Sequence, residues 1–120
     1  MRRYFLFLLL FACAEKNTDT LLSARDFESK FKATESAILL DVRTPEEIAG
    51  GKIAGAQNIV WDDSFADNLS TLEHKPIFVY CGSGIRSAKA AAVLREKGYT
   101  EVFELDGGIK AWKEAGMPVE

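Results

Sequence analysis

The residues best suited to covalent chemistry stand together in Cys81-Gly82-Ser83-Gly84-Ile85-Arg86-Ser87. Cys81 follows the apolar run Ile77-Phe78-Val79-Tyr80, which predicts a buried strand. It precedes an alanine-rich segment from Ser87 to Lys97, which predicts a helix closed by Gly98. The thiol is therefore expected in a strand-to-helix loop. Gly82 and Gly84 accept backbone angles that other residues resist, and without side chains they leave amide N–H groups free to face the sulfur. A free thiol with a pKa of about 8.5 is only about 3% thiolate at pH 7, and at a pKa of about 7 it is roughly half ionised. N–H donation and the helix dipole, worth roughly 1–2 kcal/mol, supply a shift of about that size. The pattern points to a reactive thiolate rather than an inert buried cysteine. Arg86, five positions after Cys81, can attract an anionic substrate, pin the loop by pairing with a carboxylate, or do both.

A nucleotide-binding reading competes with this one. Gly82-x-Gly84 after a strand, with Glu104 further on, approaches the dinucleotide fingerprint, but Ser87 stands where a third glycine or alanine belongs. No Gly-Lys-Ser/Thr follows, so the loop is not a nucleoside triphosphate cradle. His74, the single histidine, stands before Pro76 without a neighbouring Cys or His and reads as a loop residue. No metal site is visible, and thiolate chemistry of this kind needs no cofactor.

A chain of 120 residues with ordinary globular composition is expected to hold one domain. Its start is a separate matter. Met1-Arg2-Arg3 is a basic head, and Tyr4 to Ala12 is an apolar block of nine residues. A spanning helix needs roughly 20 residues, so an export signal over residues 1–12 is expected and not a permanent anchor. Leu10-Phe11-Ala12-Cys13 resembles the lipobox of bacterial lipoproteins, in which Cys13 becomes the lipid-bearing first residue. The rival is ordinary cleavage at the A-x-A-like Ala12-Cys13-Ala14. The lipobox is preferred, which predicts an exported bacterial protein in the periplasm, attached to a membrane only through its lipid. Either cut leaves Cys81 as the only thiol, with no partner for an internal disulfide. Losing Arg2 and Arg3 takes the basic count from 15 to 13 against 18 acidic residues, a formal balance of −5. Such a surface does not favour nucleic acid.

Residues 13–20 read as a polar tether and residues 21–120 as the domain. Ser23 with Asp26 makes a capping-box-like start for a helix carrying Phe27 and Phe31. Ala37-Ile38-Leu39-Leu40 is a continuous apolar run, as in a strand covered on both faces, with Asp41-Val42-Arg43 at its end. Thr44-Pro45-Glu46-Glu47 starts a short helix with Thr at the cap, Pro at the first position and Glu47 closing the box; Gly50-Gly51 stops it. If the sheet is parallel, Asp41, Arg43 and Cys81 meet at the carboxyl ends of its strands, where ligands of open α/β sheets bind. Asp41 and Arg43 then either support the Cys81 loop or form a surface ion pair of little worth. Lys52–Val60 reads as a turn into a short strand, and Asp62 or Asp63 as the cap of a brief helix with Phe65 and Leu69. Val102-Phe103-Glu104-Leu105 is a further strand. Asp106-Gly107-Gly108 turns into a last helix with Ile109 and the core anchor Trp112.

From about Leu21 to Val119 the chain resembles single-domain rhodaneses, the sulfurtransferase family, through three motifs in order. The first runs from Asp41-Val42-Arg43-Thr44-Pro45-Glu46-Glu47 through Gly51, Ile53, Gly55-Ala56 and Asn58-Ile59. The second is the loop from Cys81 to Arg86 with Ser87. The third is Leu105-Asp106-Gly107-Gly108 with Trp112 and Gly116-Met117-Pro118-Val119. The resemblance implies a small α/β fold with a central parallel sheet and helices on both faces. It also implies that the Cys81 thiolate takes the outer sulfur of thiosulfate or another sulfane donor as a persulfide, which a thiol or cyanide then removes. Loop amides from Gly82, Ser83, Gly84, Ile85 and Arg86 would stabilise both anions, with Arg86 holding the donor or the loop. Related phosphatases have one residue more between cysteine and arginine; here four intervene. A rhodanese-like carrier or docking module without turnover is the alternative.

Overall fold

The computed structural model describes residues 20–120; the expected signal, and Cys13 with it, lie outside the described residues. Two runs read as doubly covered strands, Ile38–Asp41 (β2) and Ile77–Tyr80 (β4), are buried at every position and pair with each other in parallel. Around them the sheet completes with Leu21–Leu22 (β1), Gln57–Asn58 (β3) and Val102–Leu105 (β5), in the order β1-β5-β4-β2-β3. Every pairing is parallel. The helices are Ala24–Ala33 (α1), Pro45–Ala49 (α2), Phe65–Asn68 (α3), Ile85–Glu96 (α4) and Gly108–Glu114 (α5). This is the α/β arrangement expected from the sequence, a parallel sheet with helices on both faces.

Side chains alternate across a strand, so one apolar run serves two cores. Leu40 and Val79 meet Phe65, Leu69, Ala90 and Leu94 on one face. Leu39, Phe78 and Tyr80 meet Phe27, Ile109 and Trp112 on the other. The small Ala90 and Ala91, both fully buried, let α4 lie close on its face of the sheet. Across the sheet, Phe27 meets Phe78 edge-on at 5.4 Å and Trp112 at 6.4 Å, geometry that adds to area burial. Trp112 is the anchor expected, its Nε1 donating to the Pro118 carbonyl at 2.7 Å.

Local signals hold in most places. Ser23 caps α1, its Oγ accepting from the Asp26 amide at 3.2 Å. The Thr44–Glu47 capping box forms in both directions. Three details differ from expectation. Helix α4 starts at Ile85 and not at Ser87, because Gly84 takes the helix-entry position with φ 105°, a left-handed angle that glycine adopts without strain. Ser64, and neither Asp62 nor Asp63, precedes α3; Asp62 instead turns the chain by accepting from the Ser64 amide at 2.9 Å. Leu69 falls in the 3₁₀ turn Leu69–Thr71 after α3. The two-residue β1, too short to carry a pattern, adds a parallel edge beside β5.

Candidate active site

Cys81 directly follows β4, and its sulfur sits where a capping side chain usually sits. The first amides of a helix have no partner within it, and an N-cap oxygen normally accepts from one of them. Gly84 has no side chain to do this. The Cys81 Sγ accepts instead from the Gly84 amide at 3.1 Å and from the Ser87 amide at 3.3 Å. The thiol also donates to Ser87 Oγ at 3.4 Å, and that hydroxyl in turn donates to the Gly84 carbonyl at 3.2 Å. Burial pushes the thiol up, but the Ser87 hydroxyl, then the amides of Ser87, Gly84 and Ser83, outweigh it and set Cys81 below its ordinary value. Ser87, expected from the sequence as a helix start and a motif residue, is thus a direct partner of the sulfur. It is fully buried.

The loop is held from two sides. From α5, the Ile109 amide donates to the Cys81 carbonyl at 2.9 Å and the Lys110 amide to the Gly82 carbonyl at 3.2 Å. From α2, Glu47 takes Arg86 in a fork, Nη1 to Oε1 and Nη2 to Oε2, both at 2.8 Å. Glu47 is the same residue that closes the capping box, accepting from the Thr44 amide and hydroxyl at 3.1 Å each. Arg86, with the Thr44 amide, draws the Glu47 carboxyl down to about 2, and Glu47 in turn raises Arg86. Of the two roles read for Arg86, pinning the loop through a carboxylate is the one this geometry displays. Glu47 is a site residue that sequence reading missed; it stands 39 positions from its partner.

Asp41 and Arg43 are buried, at 1% and 4% exposure, and are no surface pair. Arg43 Nη2 reaches Asp41 Oδ2 at 2.8 Å and its Nε reaches Oδ1 at 3.0 Å. The remaining Arg43 donors go to the Gly51 carbonyl at 2.9 Å and the Glu47 carbonyl at 3.5 Å. Asn58 Nδ2 closes the group by donating to the Asp41 and Arg43 carbonyls at 2.7 and 3.0 Å. This pair therefore holds the connection around α2 and reaches the Cys81 loop through Glu47, whose carbonyl Arg43 binds, and through Tyr80, the residue before Cys81, whose ring centre lies 5.7 Å from the Arg43 guanidinium carbon. Tyr80, beside Asp41 in the register, accepts the Ile53 amide on its hydroxyl at 3.1 Å. Burial first, and its hydrogen bond to Asp41 next, keep that phenol protonated.

The parallel sheet and the cysteine cradled at a helix start define a small α/β protein organised around one cysteine sulfur. The sequence profile of the Rhodanese-like domain matches residues 23–115, and the chain belongs to that family. It is 41% identical over 86 residues to Uncharacterized protein YqhL of Bacillus subtilis, covering 71% of this chain and 68% of that one. It is 38% identical over 88 residues to Thiosulfate sulfurtransferase GlpE of Actinobacillus succinogenes, covering 72% of this chain and 78% of that one. A crystal structure of a rhodanese-related protein from Thermoplasma volcanium superposes with a TM-score of 0.73 at 33% identity, covering 82% of this chain and 95% of the other.

Proposed function

We propose that the chain is a sulfurtransferase that moves sulfane sulfur from thiosulfate or a similar donor to a thiol or cyanide through a Cys81 persulfide. The observation that carries this is the sulfur of Cys81 accepting two amides, of Gly84 and Ser87, at the start of α4. Those donors favour an anion on sulfur, which is what the thiolate is before attack. In the first step the Cys81 thiolate bonds to the outer sulfur of the donor, the donor's sulfur–sulfur bond breaks, and sulfite leaves when the donor is thiosulfate. In the second an acceptor thiolate or cyanide takes that outer sulfur and the Cys81 thiolate is regenerated. The Gly82–Arg86 loop steadies the charge in both states, with the amides of Gly84 and Ser87 already on the sulfur of Cys81. Asp41 and Arg43 position α2, and with it the Glu47 that grips Arg86. Residues 1–12 are proposed as an export signal and Cys13 as the lipid-bearing residue of a periplasmic protein.

Intact-protein mass spectrometry before and after thiosulfate, repeated with Cys81→Ser, tests the chemistry. A gain of one sulfur that needs Cys81 and disappears on adding cyanide or a thiol is the expected result. A folded, reduced sample with no gain would turn the reading to a docking module. Sulfur loading without turnover would turn it to a carrier. The starting mass of protein recovered from a bacterial envelope reports whether Cys13 carries lipid.

A further inference from the structure

Arg86 is the one cation in the segment from Cys81 to Ser87, and both arms of its guanidinium are taken. The acceptor, Glu47, is no casual surface partner. Its Oε1 also accepts from the Thr44 amide and hydroxyl, so releasing Arg86 would require the carboxylate to leave a helix cap. The pair lies against the loop: a Cβ on Gly82 would stand 3.2 Å from Arg86 Nη2 and 3.6 Å from Glu47 Oε2. Arg86 and Glu47 are 34% and 37% exposed, so a donor approaching this part of the loop meets a neutral pair and not a free guanidinium. Ile85, on the Cys81 side of Arg86, is 67% exposed and adds apolar surface where a second cation would otherwise favour anions. The chain as a whole carries a formal charge of −3 and gives an anion no compensating attraction.

We propose that Glu47 is a specificity residue: by occupying Arg86 it makes the site discriminate against dianionic sulfane donors and favour monoanionic ones. This rests on the sulfurtransferase reading. Thiosulfate is the simplest dianionic donor; its outer sulfur goes to the Cys81 thiolate and sulfite leaves. A thiosulfonate is the matching monoanion; its outer sulfur goes to the same thiolate and a sulfinate leaves. The two reactions balance in the same way and differ in one unit of charge on donor and leaving group. A free guanidinium would attract the second negative charge in proportion, and the neutral Arg86–Glu47 pair withholds that attraction.

The test compares thiosulfate with methanethiosulfonate ion as donors, with cyanide as the common acceptor, in the wild-type chain, Glu47→Gln and Arg86→Gln. Glutamine serves the third helical position of a capping box as glutamate does, so Glu47→Gln keeps the local fold. The expected result is a rise of about tenfold in kcat/KM for thiosulfate relative to methanethiosulfonate in Glu47→Gln, carried by KM. Arg86→Gln is expected to move the same ratio down, because it leaves Glu47 unneutralised. A purely structural role for the pair would lower both donors together in both variants and leave the ratio unmoved, which overturns the proposal. Should Glu47→Gln fail to fold, Arg86→Gln decides alone: a ratio that does not fall overturns it. If neither donor loads sulfur on Cys81 in the folded wild type, the sulfurtransferase reading itself falls; loading by both with an unmoved ratio removes only the role of Glu47.

Discussion

Gly108 lies against the carbonyl of Gly82 so closely that a Cβ on it would stand 2.5 Å from the carbonyl carbon and oxygen and 2.6 Å from the Cys81 oxygen. Its φ of 65° is also one that side chains resist. The approach lets the first turn of α5 donate to the Cys81 and Gly82 carbonyls, fixing the far side of the cysteine loop. Gly108→Ala must therefore push α5 and the loop apart. The expected cost is about 2–3 kcal/mol of stability, from combined overpacking and backbone strain. The Cys81 alkylation rate at pH 7 should fall with it. Urea unfolding and iodoacetamide kinetics check both; a folded Gly108→Ala protein with wild-type alkylation would show that α5 does not set the loop.

Ser87 offers the sulfur both a hydroxyl and an amide, and only the hydroxyl can be removed by mutation. A thiolate is favoured as pH rises, so alkylation should climb with pH around a midpoint below that of an ordinary thiol. Once the thiol has lost its proton, the Ser87 hydroxyl can turn from the Gly84 carbonyl and donate to the sulfur; Ser87→Ala removes that donor and is expected to move the midpoint up by about one pH unit. Thiolate absorbance against pH, read beside the alkylation profile, measures the shift. An unmoved midpoint would leave the amides as the whole cause of the lowered value.

The sequence shows the parts of this site that are local and hides those that are not. Thr44, Pro45 and Glu47 announce their helix because a capping box acts over three residues, and it forms as written. The unbroken runs at Ile38 and Ile77 announce a doubly covered parallel sheet because burial on both faces removes alternation. The Glu47 grip on Arg86 is invisible for the opposite reason: it joins α2 to the start of α4, and nothing in either segment names the other. Gly84 misleads as to where α4 begins, since a glycine cap carries no side-chain signal and the capping acceptor is the cysteine sulfur. Gly108 looks like a turn glycine in sequence, and its contact with Gly82 exists only after β4 and β5 are paired.

Asp41 and Arg43 bury a full ion pair, and such pairs are worth little against apolar replacements but much against the loss of one member. Arg43→Ala strands the Asp41 carboxylate and removes the donor to the Gly51 carbonyl. A loss of about 3–5 kcal/mol is expected. The double change Asp41→Leu with Arg43→Met should recover a large share of it. Urea unfolding of the singles and the double measures the coupling; a single Arg43→Ala costing under about 1 kcal/mol would mean that solvent reaches Asp41 and the pair is not buried in solution.

The Glu47 grip also sets how the fold responds to acid. Arg86 and the Thr44 amide hold the Glu47 carboxyl at about 2, against an ordinary 4.5, so the folded state favours the charged form. A depressed carboxyl stabilises the fold fully above its unfolded value and loses that contribution as pH falls from 4.5 toward 2. The side chain is 37% exposed, so solvent screening cuts the contribution to about 1 kcal/mol despite the size of the shift. Glu47→Gln should therefore be less stable than wild type by about that amount at pH 7, with the gap closing as pH falls through that window and narrowing in high salt. Urea midpoints at neutral and acid pH, in low and high salt, follow the gap directly. A gap that stays constant across the window would mean that Glu47 supports the fold through its cap to Thr44 alone, and that its charge on Arg86 adds nothing.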